Sequence, residues 1–412
     1  MKTKLLIIIP MLFVCTVQGQ VHTFTTLNSS TVQHLLGVSA IDANTTYVCG
    51  NGGTILKTTN GGSTWQAQVS GTSQDLYSID FTDTNNGVAV GNGGTLLRTT
   101  NGGNTWLPIN ITTNYLRCIY FYDANTGYAT GGVNGSGAYG QIFKTTNGGA
   151  TWVAQTIISN NIIYAIKFTD ALTGYACDYT GTIFKTINAG VSWQAQNSGT
   201  ANPLVTIDFN NASNGIALGN TTITITTNSG NTWTTVTSPT TNYVGNVQFY
   251  DTNKAIAVGG NVANNTGTIL TTSDGGTTWN ISTPNTSRLF KIDFANSNLG
   301  YIVGLDGTIL KYSCGKRVIA TKDNFVINTS SNNLLVQPNP TSTSAAIDLT
   351  SFINLGVITL ELFDITGSTV IKRTSVGGEL VTIEKNNLAS GLYIFKAYTA
   401  DKIIGTGKLM FN

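Results

Sequence analysis

The sequence predicts an all-β fold, a seven-bladed β-propeller followed by a small C-terminal β-sandwich, and three observations carry that prediction. First, all six tryptophans end the same eight-residue phrase. The copies read Thr58-Thr-Asn-Gly-Gly-Ser-Thr-Trp65, then TTNGGNTW to Trp106, TTNGGATW to Trp152, TINAGVSW to Trp193, TTNSGNTW to Trp233 and TSDGGTTW to Trp279. Successive tryptophans lie 41, 46, 41, 40 and 46 positions apart. A period of about 40–45 residues marks a repeat architecture. Second, each period holds short alternating apolar segments parted by Gly/Asn turns, with no helical periodicity. Third, this rhythm stops after Cys314 and a different set of alternating segments follows.

One repeat shows the blade. Leu76-Tyr-Ser-Ile-Asp-Phe81 reads as an alternating, half-buried strand, Asp83–Gly87 as a turn and Val88-Ala-Val90 as a second strand. Thr95–Thr99 is a third, and the Asn101-Gly-Gly turn leads into a fourth at Trp106-Leu-Pro-Ile. Four short antiparallel strands make a propeller blade. Inner-strand cores occur seven times: Val38-Ser-Ala, Ile79-Asp-Phe, Ile119-Tyr-Phe, Ile166-Lys-Phe, Ile207-Asp-Phe, Val247-Gln-Phe and Ile292-Asp-Phe. The seventh blade runs through Gly307–Lys311 and lacks a tryptophan strand. Residues around His22–Leu27 are expected to supply it, which closes the ring and removes its exposed edges. The longer spacings come from loops Gly131–Gly140 and Gly259–Gly267, expected on one face.

Charged residues are only 10% of the chain and the formal net charge is +2. Neither a nucleic acid nor an acidic membrane surface is favoured by such a balance. Lys2 and Lys4 precede the apolar run Leu5–Val14, so residues 1–19 read as a signal peptide cut near Gly19–Gln20, with no membrane span afterwards. Cys15 leaves with it. Cys49, Cys118, Cys177 and Cys314 are scattered and read as buried free thiols. His22 and His34 are the only histidines, and no metal-ligand spacing or cofactor motif is present. The Asp83–Gly87 and Asp123–Gly127 segments lack the later ligands of a calcium loop and read as turns.

The repeated phrase resembles the Asp-box, or bacterial neuraminidase repeat. Its Asn or Asp bonds nearby backbone N–H groups, its glycine takes a φ that other residues disfavour, and its tryptophan packs on the blade. Asn60, Asn101, Asn147, Asn188, Asn228 and Asp274, with Trp65, Trp106, Trp152, Trp193, Trp233 and Trp279, are therefore expected to be structural. Together with the Gly-x-Gly-Gly-Thr-Ile-Leu strands, the pattern is similar to the propellers of photosystem II assembly factors. That resemblance covers the propeller, residues 20–314.

Residues 315–336 read as a linker and 337–412 as a second domain. Gln337-Pro-Asn-Pro340 precedes strands expected at Ala345–Leu349, Val357–Asp364, Ile365–Val370, Leu388–Phe395 and Gly407–Phe411. The order Pro-Asn-Pro, Phe363-Asp-Ile-Thr-Gly367 and Gly391-Leu-Tyr393 resembles the C-terminal sorting domain of the Bacteroidetes type IX secretion system. The resemblance implies export by that machinery, followed by release or attachment at the outer-membrane surface.

For function, the expectation is a non-catalytic secreted or surface module that binds an extracellular glycan, peptide or protein partner on the long-loop face. Arg117, Tyr120, Asn134, Tyr139 and Lys167 are the contact candidates. One alternative is a polysaccharide hydrolase using the inner-strand Asp80, Asp208 and Asp293; another is an assembly chaperone for a membrane complex. Asp-box sialidases need an arginine triad, whereas the propeller region holds only Arg98, Arg117 and Arg288.

Overall fold

The computed structural model of the chain describes residues 13–17, 20–133, 137–157, 159–316, 332–334, 336–349, 352, 357–365, 368–376, 379–399 and 403–412. It forms two compact units, residues 1–316 and 317–412.

Six blades are four-stranded sheets in sequence order from the axis outward. Their inner strands are Leu35–Ala40, Leu76–Phe81, Tyr115–Phe121, Ile163–Phe168, Thr206–Phe209 and Tyr243–Asp251. The seventh inner strand, Leu289–Asn296, lies against both the sixth and the first, so the ring closes. Blade seven continues through Leu299–Gly304 and Ile309–Lys316, and its outer strand is Gln20–Leu27 from the other end of the chain. That strand pairs antiparallel from Gln20↔Lys316 to Leu27↔Ile309. Phe13–Val17 adds a fifth strand outside it. This fifth strand falls in the segment expected to be removed as a signal peptide, and closure from Gln20 onward does not require it.

The inner strands depart from simple alternation. In blade two Leu76, Ile79 and Phe81 are buried, a spacing of three and then two. A β-bulge at Tyr77 accounts for it, because the register shifts between Leu76 and Ser78. The same shift leaves Leu36, Arg117, Tyr164, Gly245 and Phe290 as bulged residues in blades one, three, four, six and seven. Bulges re-aim the side chain they carry.

The boxes work as joints between blades. Thr58 Oγ1 donates to Asn60 Oδ1 at 2.9 Å, and Asn60 Oδ1 also accepts the Thr64 N–H at 3.0 Å. Asn60 Nδ2 donates to Thr64 Oγ1, whereas in the sixth box Thr278 Oγ1 donates to Asp274 Oδ2. A threonine hydroxyl serves in either direction, which is why Asn and Asp interchange here. Gly62 has φ +85°, and a Cβ there would meet Leu27 Cδ1 at 2.5 Å. Three of the tryptophans, Trp106, Trp193 and Trp233, then complete an aromatic stack between blades. Tyr47 of blade one lies flat on Phe81 of blade two at 3.7 Å, and Trp106 meets that phenylalanine edge-on at 5.8 Å. The Tyr47 hydroxyl and the Lys57 ammonium both donate to the Gly102 carbonyl of the next box. Blades three and four repeat this with Tyr128, Phe168 and Trp193, and blades four and five with Tyr175, Phe209 and Trp233. Arg98 makes the corresponding bond to Gly148.

Between blades six and seven no box exists, and aromatic side chains from both chain ends fill the seam. Tyr312 meets Phe294 edge-on at 5.3 Å and 89°, the relation Trp106 has to Phe81. Phe24 and Tyr312 are buried together there with Tyr250 packed against them, and His22 Nδ1 lies 2.9 Å from the Tyr312 hydroxyl.

The second unit is a two-sheet sandwich. One sheet joins Asn332–Asn333, Ile403–Phe411, Gly391–Tyr398, Val357–Phe363 and Thr369–Val376; the other joins Val336–Gln337, Ser344–Asp348 and Leu380–Glu384. Leu360, Leu362, Phe395 and Leu409 share its core with Ala345, Ile347 and Ile383. Three expected strands shift by more than one residue, the last of them beginning at Ile403 instead of Gly407. Thr369–Val376, not Ile365–Val370, carries the pairing, because Asp364 holds a turn by accepting the Ser368 N–H. The strand expected from Leu388 begins at Gly391, since Lys385–Leu388 closes a turn first. Leu380–Glu384, unassigned from sequence, completes the smaller sheet. Of the expected linker, residues 315–316 still belong to the blade-seven strand, 317–331 and 335 lie outside the described residues, and 332–333 and 336 are already in strands.

Replacing Trp106 by Ala should cost about 3–5 kcal/mol, as for a buried aromatic, whereas Asn60→Asp should stay within about 0.5 kcal/mol. Urea denaturation of both variants checks the assignment.

Candidate functional site

The axis of the ring carries two levels of side chains with different roles. At the lower level each blade contributes one polar residue: Ser39, Asp80, Tyr120, Lys167, Asp208, Gln248 and Asp293. Each bridges to the following blade. Ser39 Oγ accepts the Phe81 N–H at 3.1 Å, and Asp80 Oδ2 accepts the Phe121 N–H at 2.7 Å. The Tyr120 hydroxyl donates to the Phe168 carbonyl, and Lys167 Nζ lies 2.9 Å from Asp208 Oδ1. Asp208 Oδ2 accepts the Phe249 N–H, Gln248 Nε2 donates to Asp293 Oδ1, and Asp293 Oδ2 accepts the Ala40 N–H of blade one. The chain of bonds returns to its start. A buried backbone N–H left unmade would cost about 1–3 kcal/mol, so these side chains hold the ring together.

All of these but Ser39 line a cavity of about 120 Å³, together with Lys291, Thr206 and Asn246. Burial, with the Asp293 charge adding to it, pushes the Asp80 carboxyl up to about 7 against the opposing Phe121 hydrogen bond. Burial likewise raises Asp293. The folded chain holds the Asp80 proton up to about pH 7, whereas an unfolded carboxyl releases it near about 4. The native state binds more protons across that window, so stability falls as pH rises through it.

The upper level is built by the bulges. Arg117 Cζ lies 4.4 Å from the Tyr77 ring centre, 5.3 Å from Tyr115 and 5.4 Å from Tyr164, an aromatic cage around one guanidinium. Tyr164 stacks on Tyr179 at 5.3 Å. Arg288, just before blade seven, lies 5.1 Å from Phe290. Burial pushes the Tyr243 phenol up to about 12 while both Arg288 and Arg117 pull it down. Arg117 and Arg288 enter the ring at the same height, on blade three and just before blade seven. Nε of each arginine is buried without a hydrogen-bond partner, and no ion pair among the described residues involves either.

Of the expected contact residues, Arg117 and Tyr139 lie on this upper face. The Tyr139 hydroxyl accepts a hydrogen bond from Asn114 Nδ2 at 3.0 Å. Tyr120 and Lys167 do not join them, being committed to the lower ring. Asn134 lies outside the described residues. Sequence reading missed Tyr77, Tyr115, Tyr164, Tyr179, Tyr243 and Arg288. The available signal was the three-then-two spacing of the inner strands, which marks a bulged residue. Cys49, Cys118, Cys177 and Cys314 are free thiols, the first three buried. No cluster among the described residues is placed to hold a metal ion, and no helix among them is long and apolar enough to cross a membrane.

Residues 16–313 match the family model described as photosynthesis system II assembly factor YCF48, and residues 335–412 match that of the secretion system C-terminal sorting domain. No curated protein matches the chain. Similar solved structures include a YCF48 bound to D1 peptide, 21% identical with TM-score 0.58, over 70% of this chain and 96% of that one. YCF48 from Cyanidioschyzon merolae is 20% identical with TM-score 0.56, over 70% and 98% of the two chains. The WD40 propeller domain of Doa1 is 13% identical with TM-score 0.57, over 70% and 95%. At these identities the likeness is one of fold.

Asp80→Asn keeps an acceptor for the Phe121 N–H and removes the titration. Wild type should lose stability between pH 5 and pH 8, and Asp80→Asn should lose less, as read by urea unfolding at the two pH values.

Proposed function

Since the chain belongs to the photosynthesis system II assembly factor YCF48 family through its propeller, we propose that it acts as a non-catalytic binding module whose ligand sits on the upper face. The ligand is an extracellular glycan, peptide or protein partner. The observation that carries this reading is the arginine–tyrosine cup at the channel mouth. It sets Arg117 among tyrosine faces, with Arg288 at the same height, each with a buried Nε lacking a partner, on the face that also bears Tyr139. Loops and strand ends on a rigid scaffold are the usual place for recognition. That a YCF48 relative has been solved with a bound peptide supports recognition rather than turnover as the use of this fold. So does the engagement of Asp80, Asp208 and Asp293 in inter-blade bonds, which a hydrolytic carboxylate pair would have to give up.

The sorting domain supports secretion or attachment at the outer-membrane surface. Residues 1–19 are proposed to act first as a signal peptide. Removal of residues 337–412 in a host with type IX secretion should leave the propeller inside the cell envelope, as read by fractionation.

The face itself is tested by retention of extracellular polysaccharides and proteins on the immobilised whole chain. The double substitution Tyr115→Ala with Tyr179→Ala should weaken the retained partner about tenfold or more. Ile187→Ser, on an exposed box residue of the opposite rim, should change nothing. The reverse pattern would contradict the upper-face reading. Turnover of a polysaccharide that disappears in Asp80→Asn or Asp208→Asn would overturn the non-catalytic one.

A further inference from the structure

We propose that the channel mouth takes an acidic saccharide, with its oxyanion held by Arg117, Arg288 adding positive charge from the same height of the ring, and its sugar ring lying on the surrounding tyrosines. This rests on the upper-face reading and narrows it to one ligand chemistry.

The two arginines supply the charge argument. Each buries Nε without a partner, and a buried donor left unmade is costly. An oxyanion relieves that cost with a charge-assisted, bidentate bond that a guanidinium is shaped to make. The acids of the upper face are already engaged. Asp178 accepts from Ser159, Thr180 and Thr182, Asp75 accepts the Gly52 N–H, and Asp306 is bonded to Ser287. None of these carboxylates pairs with Arg117 or Arg288 among the described residues, so both guanidinium groups are left for a ligand.

The tyrosines supply the ring argument. Tyr115 and Tyr179 are 37% and 44% exposed. Tyr164 and Tyr179 form a stacked pair inclined by only 29°, a platform for the apolar face of a sugar ring. Asn114 and Gln141 sit beside Tyr139, with Asn114 Nδ2 bonded to both at 2.9–3.0 Å. Such amides and phenols match sugar hydroxyls. Leu36 and Val205, at the height of the bulges, are half-buried and buried. Around Arg117 the cup thus offers flat aromatic faces and hydroxyls, the surfaces that suit a sugar ring.

Isothermal titration calorimetry on the whole chain tests this with four probes: an oligogalacturonate, a sulfated galactan oligosaccharide, neutral galactan of the same length and an oligoglutamate peptide. The expected result is that at least one acidic saccharide binds about tenfold or more tighter than the neutral one. Whether carboxylate or sulfate is preferred identifies the oxyanion. Arg117→Gln should weaken that binding about tenfold, Arg288→Gln should weaken it less, and added salt should weaken it too. Arg117→Lys keeps charge without the fork and should fall between wild type and Arg117→Gln, with thermal unfolding confirming that each variant is folded. Equal binding of neutral and acidic saccharides overturns the assignment, as does binding of the peptide alone. Both outcomes leave the upper face as the binding surface if they depend on Tyr179. An acidic saccharide bound without sensitivity to either arginine or to Tyr179 overturns the face as well. Failure of all four probes to bind also overturns the assignment.

Discussion

The chain has to bring Gln20–Leu27 back to Ile309–Lys316, so that His22 finds Tyr312 across 290 positions of sequence. Closing so long a loop carries a large entropic cost, though one that grows slowly with length. The reward is also large, because a propeller blade buries both faces only when it has two neighbours. Every inter-blade stack, every box carbonyl capped by a lysine and the whole lower ring of polar bonds presuppose seven blades meeting at that one seam. The seam is also where the repeat fails, and Phe24, Tyr312 and Tyr250 replace the missing tryptophan phrase.

Once the ring is closed, its two rims and its channel have separate duties. The lower rim carries the boxes, whose hydrogen bonds and tryptophans are consumed in joining blades. At the lower level of the channel one polar residue per blade bridges to the next blade, so that level joins the ring. The upper level is where two buried guanidinium Nε donors, those of Arg117 and Arg288, have no partner. Arg117 and Arg288 end up there because six inner strands bulge or begin at that height. A structural device, the bulge, thus becomes the means of presenting a recognition surface.

How much of this could be read from the residues differs by level. The blades, their number and the closing strand were legible, because tryptophan spacing and the Ile-x-Phe cores repeat faithfully. The structural role of Asn60 and its counterparts was legible for the same reason. The cup was not, because an alternating reading of Leu76–Phe81 passes over the bulge at Tyr77. Tyr120 and Lys167 misled for a related reason: they look like exposed polar residues on an inner strand, but the ring turns that edge toward a neighbouring blade. In the C-terminal unit the error came from turn chemistry, where Asp364 and Lys385 each postpone the following strand.

Native-state hydrogen exchange across the closing blade tests ring closure most directly. Amides of Thr23–Leu27 and of Ile309–Ser313 should exchange with the same opening free energy as those of Ile163–Phe168 on the far side of the ring, because all blades open together. Exchange of blade seven through a separate, much cheaper opening, with the other blades still protected, would contradict the claim that the ring stands or falls with that seam.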